Sequence, residues 1–137
     1  MAGNIRLEVV TPEASVVSED VQIVVAPGNL GEFGVLIGHT PFLTTLRLGT
    51  IRYKAADGVE KAVFVSSGFA EALPDKVTVL AESAERRRDI DVERIKRAIK
   101  RAEERLAAKV PDIDFERAKA ALARALHRLK LAETKRS

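Results

Sequence analysis

The spacing of apolar residues changes near residue 84, and this change divides the chain into two kinds of structure. Before that point apolar residues alternate with polar ones, as in Val63/Val65 and Val77/Val79, which is the period of a half-buried strand. After it they recur every three or four residues, which is the period of an amphipathic helix. The sequence therefore predicts a β domain over residues 1–84 and an α-helical domain over residues 85–137.

The β domain is predicted from short runs of β-branched residues separated by residues that favour turns. Turn signals occur at Pro27-Gly28-Asn29, Ala56-Asp57-Gly58 and Pro74-Asp75, where Gly, Pro, Asn and Asp each supply backbone angles that turns require. Many short strands at this spacing are typical of a sandwich or a barrel. The predicted strands are 6–10, 16–18, 21–26, 34–36, 49–53, 62–65 and 76–80.

The helical domain is predicted as an antiparallel hairpin of two helices. Pro111 ends the first helix, Asp89 or Asp91 caps its start, and Asp112 or Asp114 caps the start of the second. Because two narrow stripes bury little surface, we expect the hairpin to be marginally stable by itself. The stripes are Val92, Ile95, Ile99, Ala102 and Leu106, and then Phe115, Ala118, Leu122, Ala125, Leu129 and Ala132.

The two domains carry opposite net charge. Residues 1–84 contain 6 Lys or Arg and 10 Asp or Glu, a net charge of −4, whereas residues 85–137 contain 17 and 10, a net charge of +7. Such a difference suggests that the two domains meet different partners. The basic half favours an acidic surface.

Residue content argues against an enzyme. The chain has no Cys, and its two His, His39 and His127, lie in different halves, so thiol chemistry and a local histidine cluster are excluded. Phosphate-loop, nucleophile-elbow and zinc-protease motifs are absent. The N-terminus has no signal-peptide pattern, and no run of about 20 apolar residues predicts a membrane helix.

Two other functions remain open from the residues alone. Arg86-Arg87-Arg88 and the basic helices could neutralise nucleic-acid phosphates, but the interleaved acids are typical of a solvated helical face. A nucleic-acid-binding adaptor is therefore the second hypothesis, and a free-standing nucleotide sensor is the third. Binding that falls steeply with salt would favour the adaptor.

Several segments, in order, resemble one family. The stretch Ala26–Pro41 reads APGNLGEFGVLIGHTP, Val65–Glu71 reads VSSGFAE, Val77–Glu82 reads VTVLAE and Asp112–Ala118 reads DIDFERA. Together they resemble the epsilon subunit family of bacterial-type F-type ATP synthases, over nearly the whole chain.

The resemblance implies a flattened β-sandwich of about ten strands followed by a mobile two-helix hairpin. It implies that the sandwich binds the gamma subunit and the c-ring in the central rotor stalk, during ATP synthesis driven by an ion gradient. The folded hairpin would permit ATP hydrolysis, and the extended hairpin would inhibit it near an acidic segment of the catalytic beta (and alpha) subunits. The chain would be a non-catalytic, peripheral protein at the cytoplasmic face of the bacterial inner membrane, without a nucleic-acid partner.

The same resemblance implies functional residues. Glu32 would lie near the c-ring and His39 near gamma. No metal or required cofactor is implied, but ATP is expected as a regulatory ligand on the helices. The expected ATP-binding residues are Asp91, Arg94, Arg101, Arg124 and Arg128, with Ile95 standing where the family motif has Ala.

Overall fold

The computed structural model describes residues 3–108 and 112–134. They form two compact units, of which the first runs to Arg86 and the second begins at Arg87. The first unit contains nine strands and the second contains two helices. The strands are β1 (Ile5–Val10), β2 (Ser15–Gly28), β3 (Gly31–Val35), β4 (Phe42–Leu46), β5 (Gly49–Ala55), β6 (Glu60–Val65), β7 (Gly68–Leu73), β8 (Lys76–Ala81) and β9 (Ala84–Arg86).

The long strand β2 belongs to both layers of the first unit, and it joins the predicted strands 16–18 and 21–26 into one. Its first part pairs antiparallel with β1, and its last part pairs with β3 and β5. From β1 the hydrogen-bonded order continues through β8, β7 and β4, whereas from β5 it continues through β6 and β9. The β-sandwich predicted from the sequence is thereby confirmed, with nine strands among the described residues against about ten expected.

Aliphatic side chains from both layers fill the sandwich. Along β1 and β5 alternate residues are buried, as the period of two requires. Val and Ile are favoured here because their branched side chains suit a pleated, buried surface. The fully buried aliphatic core residues include Ile5, Leu7, Val9, Val17, Val21, Val24, Val35, Ile51, Val63, Val65, Val77 and Val79.

Strands β4 and β7 are absent from the predicted set, because their apolar pattern is inverted. On β7 the small residues Ala70 and Ala72 are fully buried, while the larger Phe69 and Leu73 are exposed. On β4 the exposed position Leu43 is likewise apolar. A pattern that places large apolar residues outside does not show the usual alternation, so periodicity indicates no strand there.

The turn after β2 differs from the prediction. Pro27 and Gly28 continue the strand, and the turn comes at Asn29 and Leu30. Proline has no N–H to donate, but the Pro27 carbonyl still accepts a hydrogen bond from the Arg47 amide at 3.0 Å.

The helical unit begins with a 3₁₀ turn at Arg87–Asp89, followed by α1 (Val92–Ala107) and α2 (Asp112–Glu133). Asp91 is the cap of α1, since its side chain accepts from the Arg94 amide at 3.1 Å. Pro111, predicted to end the first helix, lies outside the described residues. Asp114 lies inside α2 and so is not its cap.

The two helices pack through a narrow seam of mostly small residues. The predicted stripes are confirmed at their centres, but Phe115 at the start of α2 is 38% exposed. The buried residues among those described in this unit are Ile95, Ala102, Ala118, Ala125 and Leu131. Within residues 3–108 and 112–134, neither helix is long and apolar enough to cross a membrane.

Candidate functional site

An apolar strip crosses the outer face of β1, β8, β7 and β4. Val10 is paired with Leu80, Leu80 with Phe69, and Phe69 with Thr45. One cross-strand row therefore consists of three apolar residues and, at its β4 end, Thr45. Leu43 lies two residues before Thr45 and points to the same face. Leu80, Phe69 and Leu43 are 55%, 54% and 70% exposed. We call Val10, Leu43, Phe69 and Leu80 the apolar strip.

The strip is unusual because the residues beneath it are small. Ala70 and Ala72 of β7 occupy the core, while the larger Phe69 of the same strand faces outward. A contiguous group of exposed apolar residues on a soluble domain marks an interaction surface more often than chance exposure. The strip is missing from the sites expected from the sequence, and the signal that would have revealed it is the inverted alternation of Gly68–Leu73.

His39 lies in the loop between β3 and β4. Its amide donates to the Leu36 carbonyl at 3.3 Å, and its ring centroid is 4.8 Å from that of Phe42. The loop is also hydrogen-bonded to the β7–β8 turn, since the Gly38 amide donates to the Pro74 carbonyl at 2.6 Å. Nδ1 of His39 is buried and has no hydrogen-bond partner among the described residues.

Glu32 lies on β3, close to the turn at Asn29 and Leu30. Its Oε1 is 2.7 Å from a terminal guanidinium nitrogen of Arg52, and both side chains are about half exposed. An exposed pair of this kind contributes about 0–1 kcal/mol to stability. In the structure the pairing directs the Glu32 carboxylate toward Arg52. Beside it, Leu30 is completely exposed at the tip of the turn.

A groove of about 860 Å³ lies between α1 and α2, toward the ends of the helices that the 108–112 connection joins. Small residues form much of its lining, because alanines at these positions leave space that longer side chains would fill. Among the described residues, four arginines line it from both helices: Arg101 and Arg105 from α1, and Arg117 and Arg124 from α2. The acidic residues of this described lining are Glu104 and Asp114.

The four groove arginines are not paired within the described part of the chain. The ion pairs found there involve arginines and lysines at other positions, and among the described side chains no carboxylate is within 4.0 Å of these four guanidinium groups. Guanidinium groups stay charged at any physiological pH. Because the described lining carries four arginines against two carboxylates, its net charge is positive and favours an anion. Planar guanidinium groups suit phosphate oxygens in particular.

The structure brings together only part of the ATP-binding set expected from the sequence. Arg101 and Arg124 line the groove, whereas Asp91, Arg94 and Arg128 do not. Asp91 and Arg101 are ten residues apart, which is about 15 Å along a helix axis. A single phosphate cannot contact both positions, so only an extended ligand could. Arg105 and Arg117 are additional to the expected set. Arg105 lies four residues after Arg101, a spacing that places both on one face of α1, but this spacing alone does not show which arginines of α2 lie opposite them.

One histidine of the helical unit has a shifted pKa. Partial burial lowers the pKa of His127 below its ordinary value of 6.5, and the nearby charge of Lys130 lowers it further. Both causes disfavour the protonated imidazole. His127 is thus held more strongly in its neutral form than an exposed histidine would be.

Two family models match the chain. The β-sandwich domain of the ATP synthase delta/epsilon chain matches residues 4–87, and the long α-helix domain of the same chain matches residues 88–133. The two matches meet beside the boundary at which the structure separates its compact units.

Curated relatives match over almost the full length. The ATP synthase epsilon chain of Desulforapulum autotrophicum is 62% identical over 98% of this chain and 100% of the relative. That of Syntrophobacter fumaroxidans is 53% identical over 97% and 98%.

Solved structures share the fold at low identity. A chain of the Euglena gracilis mitochondrial ATP synthase, in the OSCP/F1/c-ring structure, superposes with a TM-score of 0.79 at 22% identity, covering 96% of this chain and 82% of that one. A chain of the Tetrahymena thermophila mitochondrial ATP synthase central stalk and c-ring gives 0.60 at 12% identity, covering 96% and 98%.

Proposed function

The chain belongs to the ATP synthase delta/epsilon chain family, and from this premise we propose that it works as the epsilon subunit of a central rotor stalk. In this role the sandwich couples the gamma subunit to the c-ring during ATP synthesis driven by an ion gradient. The helical hairpin inhibits ATP hydrolysis. The chain has no catalytic role of its own, and it reaches the cytoplasmic face of the inner membrane only through the complex. Family membership favours this role over the nucleic-acid-binding adaptor and the free-standing nucleotide sensor.

The observation that carries the gamma contact is the apolar strip. Leu80 lies directly opposite Phe69, and Leu43 lies diagonally from Phe69 on the next strand. Burial of these exposed apolar side chains against a partner would be favourable by about 25 cal/mol per Å². His39, expected near gamma, is held by its loop contacts beside β4, the strand that carries Leu43. We therefore assign the gamma contact to the strip, with His39 in the adjoining loop.

The c-ring contact is assigned to the β2–β3 turn. Glu32 is expected there from the resemblance, and its carboxylate is oriented by Arg52. Leu30, fully exposed at the tip of the turn, adds an apolar group beside this ion pair. A polar loop of the ring would thus meet one oriented charge and one apolar side chain.

Binding of gamma tests the strip directly. Leu80→Asp introduces a charge into it, and Val59→Asp introduces the same charge at another exposed apolar position, in the β5–β6 loop. We expect Leu80→Asp to weaken the affinity for the gamma subunit at least about tenfold, as for a central interface residue, and Val59→Asp to leave it unchanged. Calorimetry with purified gamma measures both. Equal affinity in the two variants would contradict the assignment.

The inhibitory role of the hairpin is supported by its charge and its thin core. Its +7 charge favours approach to acidic segments of the catalytic beta and alpha subunits. Among the described residues of the helical unit only five are buried hydrophobics, and three of them are alanines. Its packing is therefore weak enough for a second arrangement to lie within a few kcal/mol.

ATP is proposed as the regulatory ligand of the hairpin. Arg101 and Arg124 would hold phosphate oxygens in the groove, and Arg105 and Arg117 would add to the positive potential there. Asp91, Arg94 and Arg128 would contact the rest of an extended nucleotide. A ligand that binds only the folded hairpin stabilises it by mass action, and so would relieve inhibition.

Calorimetric titration of the full chain with ATP tests this ligand. Arg101→Ala/Arg124→Ala removes two groove arginines, and Lys100→Ala/Lys119→Ala removes the same charge from exposed positions outside the groove lining. We expect binding to be lost in the first variant and kept in the second. Equal loss in both would indicate non-specific attraction to a basic helix. Absence of binding to the unmodified chain at millimolar ATP would remove the ligand and leave the subunit assignment intact.

A further inference from the structure

The open end of the helical hairpin is closed by one side chain. Arg87, in the 3₁₀ turn before α1, donates from a terminal guanidinium nitrogen to the backbone carbonyl of Thr134, just beyond α2. The two residues are 47 positions apart in the chain. The contact therefore joins the start of the helical unit to its far end.

The carbonyl groups at the end of α2 need a donor from outside the helix. The last carbonyls of any helix have no partner within it and carry the negative end of the helix dipole. Thr134 prolongs the last turn, because its amide and its hydroxyl both donate to the Lys130 carbonyl, at 3.1 and 2.8 Å. The Thr134 carbonyl then accepts from Arg87. A guanidinium at this place both donates a hydrogen bond and opposes the dipole.

Arg86, Arg87 and Arg88 follow one another in the sequence, but each has a different partner in the structure. Arg86 belongs to the sandwich: it ends β9, and its Nε donates to the Val16 carbonyl at 2.7 Å. The Arg88 side chain is 72% exposed and lies 4.0 Å from the carboxylate of its neighbour Asp89. Within the described part of the chain, Arg87 is thus the one of the three that bonds to the end of the hairpin.

We propose that Arg87 is a positioning residue that keeps the hairpin closed. At the other end the helices are joined covalently through residues 108–112, so α1 and α2 separate most easily at the end where Arg87 and Thr134 meet. Release of this contact leaves the Thr134 carbonyl without its donor and frees the last turn of α2. The hydrogen bond of Arg86 within the sandwich is separate, and it is not lost when the Arg87 contact breaks.

The hairpin core offers little to replace the contact. At this end the buried apolar residues among those described are Ile95 in the first turn of α1 and Leu131 near the end of α2, and the next buried residue of α2 toward the connection is the small Ala125. A helix end held by one pair of buried side chains opens locally at lower cost than the end of a helix packed in a large core. The closed state of this end is thus sensitive to a single charged hydrogen bond.

Hydrogen–deuterium exchange of the full chain tests the proposal, with Arg88→Ala as the matched control for Arg87→Ala. We expect the amides of the last two turns of α2 to exchange about three- to tenfold faster in Arg87→Ala, the range for loss of one charged hydrogen bond at a helix end. Arg88→Ala and the strands of the sandwich should keep the exchange of the unmodified chain. Arg87→Lys, which keeps a charge and a donor, should restore part of the protection.

A crosslink separates positioning from general stability. The chain contains no Cys, so Arg87→Cys/Thr134→Cys joined by a short bismaleimide tests closure without competing thiols. The joined variant should regain slow exchange at the end of α2, and the same variant left unjoined should behave like Arg87→Ala. Exchange in Arg87→Ala that equals that of Arg88→Ala, or a crosslink that restores nothing, would overturn the proposal.

The regulatory consequence rests on the proposed function. In the assembled complex, Arg87→Ala should deepen the inhibition of ATP hydrolysis, by up to the factor seen in exchange, because it favours the open hairpin. If exchange changes and hydrolysis does not, the positioning role of Arg87 stands and the inhibitory role of the hairpin fails. If neither the amide exchange nor the rate of hydrolysis changes, the positioning role of Arg87 is wrong.

Discussion

The sandwich and the hairpin are built from the same few aliphatic residue types but bury them in different ways. In the sandwich, strands from two layers surround a core of fully buried Val, Ile and Leu, extended by ion pairs such as Lys61 with Glu19. In the hairpin one seam of mostly alanine holds two helices together. The difference supports the proposed roles, in which the sandwich is the fixed part of the molecule and the hairpin is the part that changes its packing.

This contrast also separates what each unit offers a partner. The sandwich presents a fixed apolar strip and an oriented carboxylate, which suit a permanent contact. The hairpin presents the positive charge of the four groove arginines, which suits an attraction that can be made and released, since interactions between exposed charges are weak and sensitive to salt. The proposed coupling role of the sandwich and the proposed inhibitory role of the hairpin need these two kinds of surface.

The largest effect should come from Gly68, where β7 begins. Its φ is +152°, and a Cβ added there would lie 2.0 Å from the Leu80 carbonyl oxygen. Because both the backbone angle and the space oppose a side chain, Gly68→Ala should destabilise the sandwich by about 3 kcal/mol or more. Denaturant unfolding followed by strand circular dichroism measures this.

Gly31 is the matched control for this effect. It also has a positive φ, +132°, but a Cβ added there would have no other atom within 4 Å. Gly31→Ala should therefore cost only the backbone strain, about 1 kcal/mol. Equal costs for the two substitutions would show that the close approach of β7 and β8 is not a constraint.

Two isoleucines allow the same truncation in both units. Ile51 is fully buried in the sandwich, and Ile95 is 7% exposed in the hairpin. Ile51→Ala should cost about 2–5 kcal/mol, whereas Ile95→Ala should cost about 1–2 kcal/mol, because a two-helix seam can close around the smaller residue. Hydrogen–deuterium exchange of the strand amides measures the stability of the sandwich, and exchange of the helix amides measures that of the hairpin. A larger cost at Ile95 would reverse the comparison.

The smallest effect concerns pH and belongs to the hairpin. The lowered pKa of His127 means that the folded helix binds this proton less well than the unfolded chain does. The stability linked to His127 is therefore complete above its unfolded pKa of 6.5 and is lost as the pH falls from there through the lowered folded pKa. Helix melting at about pH 7.5 and about pH 5 should show this loss, and His127→Gln should reduce it. A hairpin more stable at the lower pH would contradict the sign.

Much of the fold could be predicted because each unit has one clear period. The helical stripes are found at Ile95, Ala102, Ala118 and Ala125, where 3.6 residues per turn brings small and aliphatic residues to one side. Strands β4 and β7 could not be found, because their exposed Leu and Phe invert the pattern. For the same reason the apolar strip could not be predicted. A strand that binds a partner with its outer face carries apolar residues on both faces, so it lacks the alternation of buried apolar and exposed polar residues.

The candidate site was predictable only in part. Arg101 and Arg124 were expected and do share a groove, but the spacing of residues on two helices does not reveal which arginines face each other across the seam. Arg105 and Arg117 therefore emerged only from the packing. The separate uses of Arg86 and Arg87 were equally invisible, because they depend on carbonyl groups 70 and 47 residues away.

Removal of residues 87–137 from the assembled complex tests the central claim most directly, through the rate of ATP hydrolysis and the retention of gamma. We predict that the shortened chain, ending with β9, still binds gamma and the c-ring, and that hydrolysis rises. Loss of gamma binding would contradict the assignment of that contact to the sandwich. Retained binding with an unchanged rate of hydrolysis would contradict the inhibitory role of the hairpin.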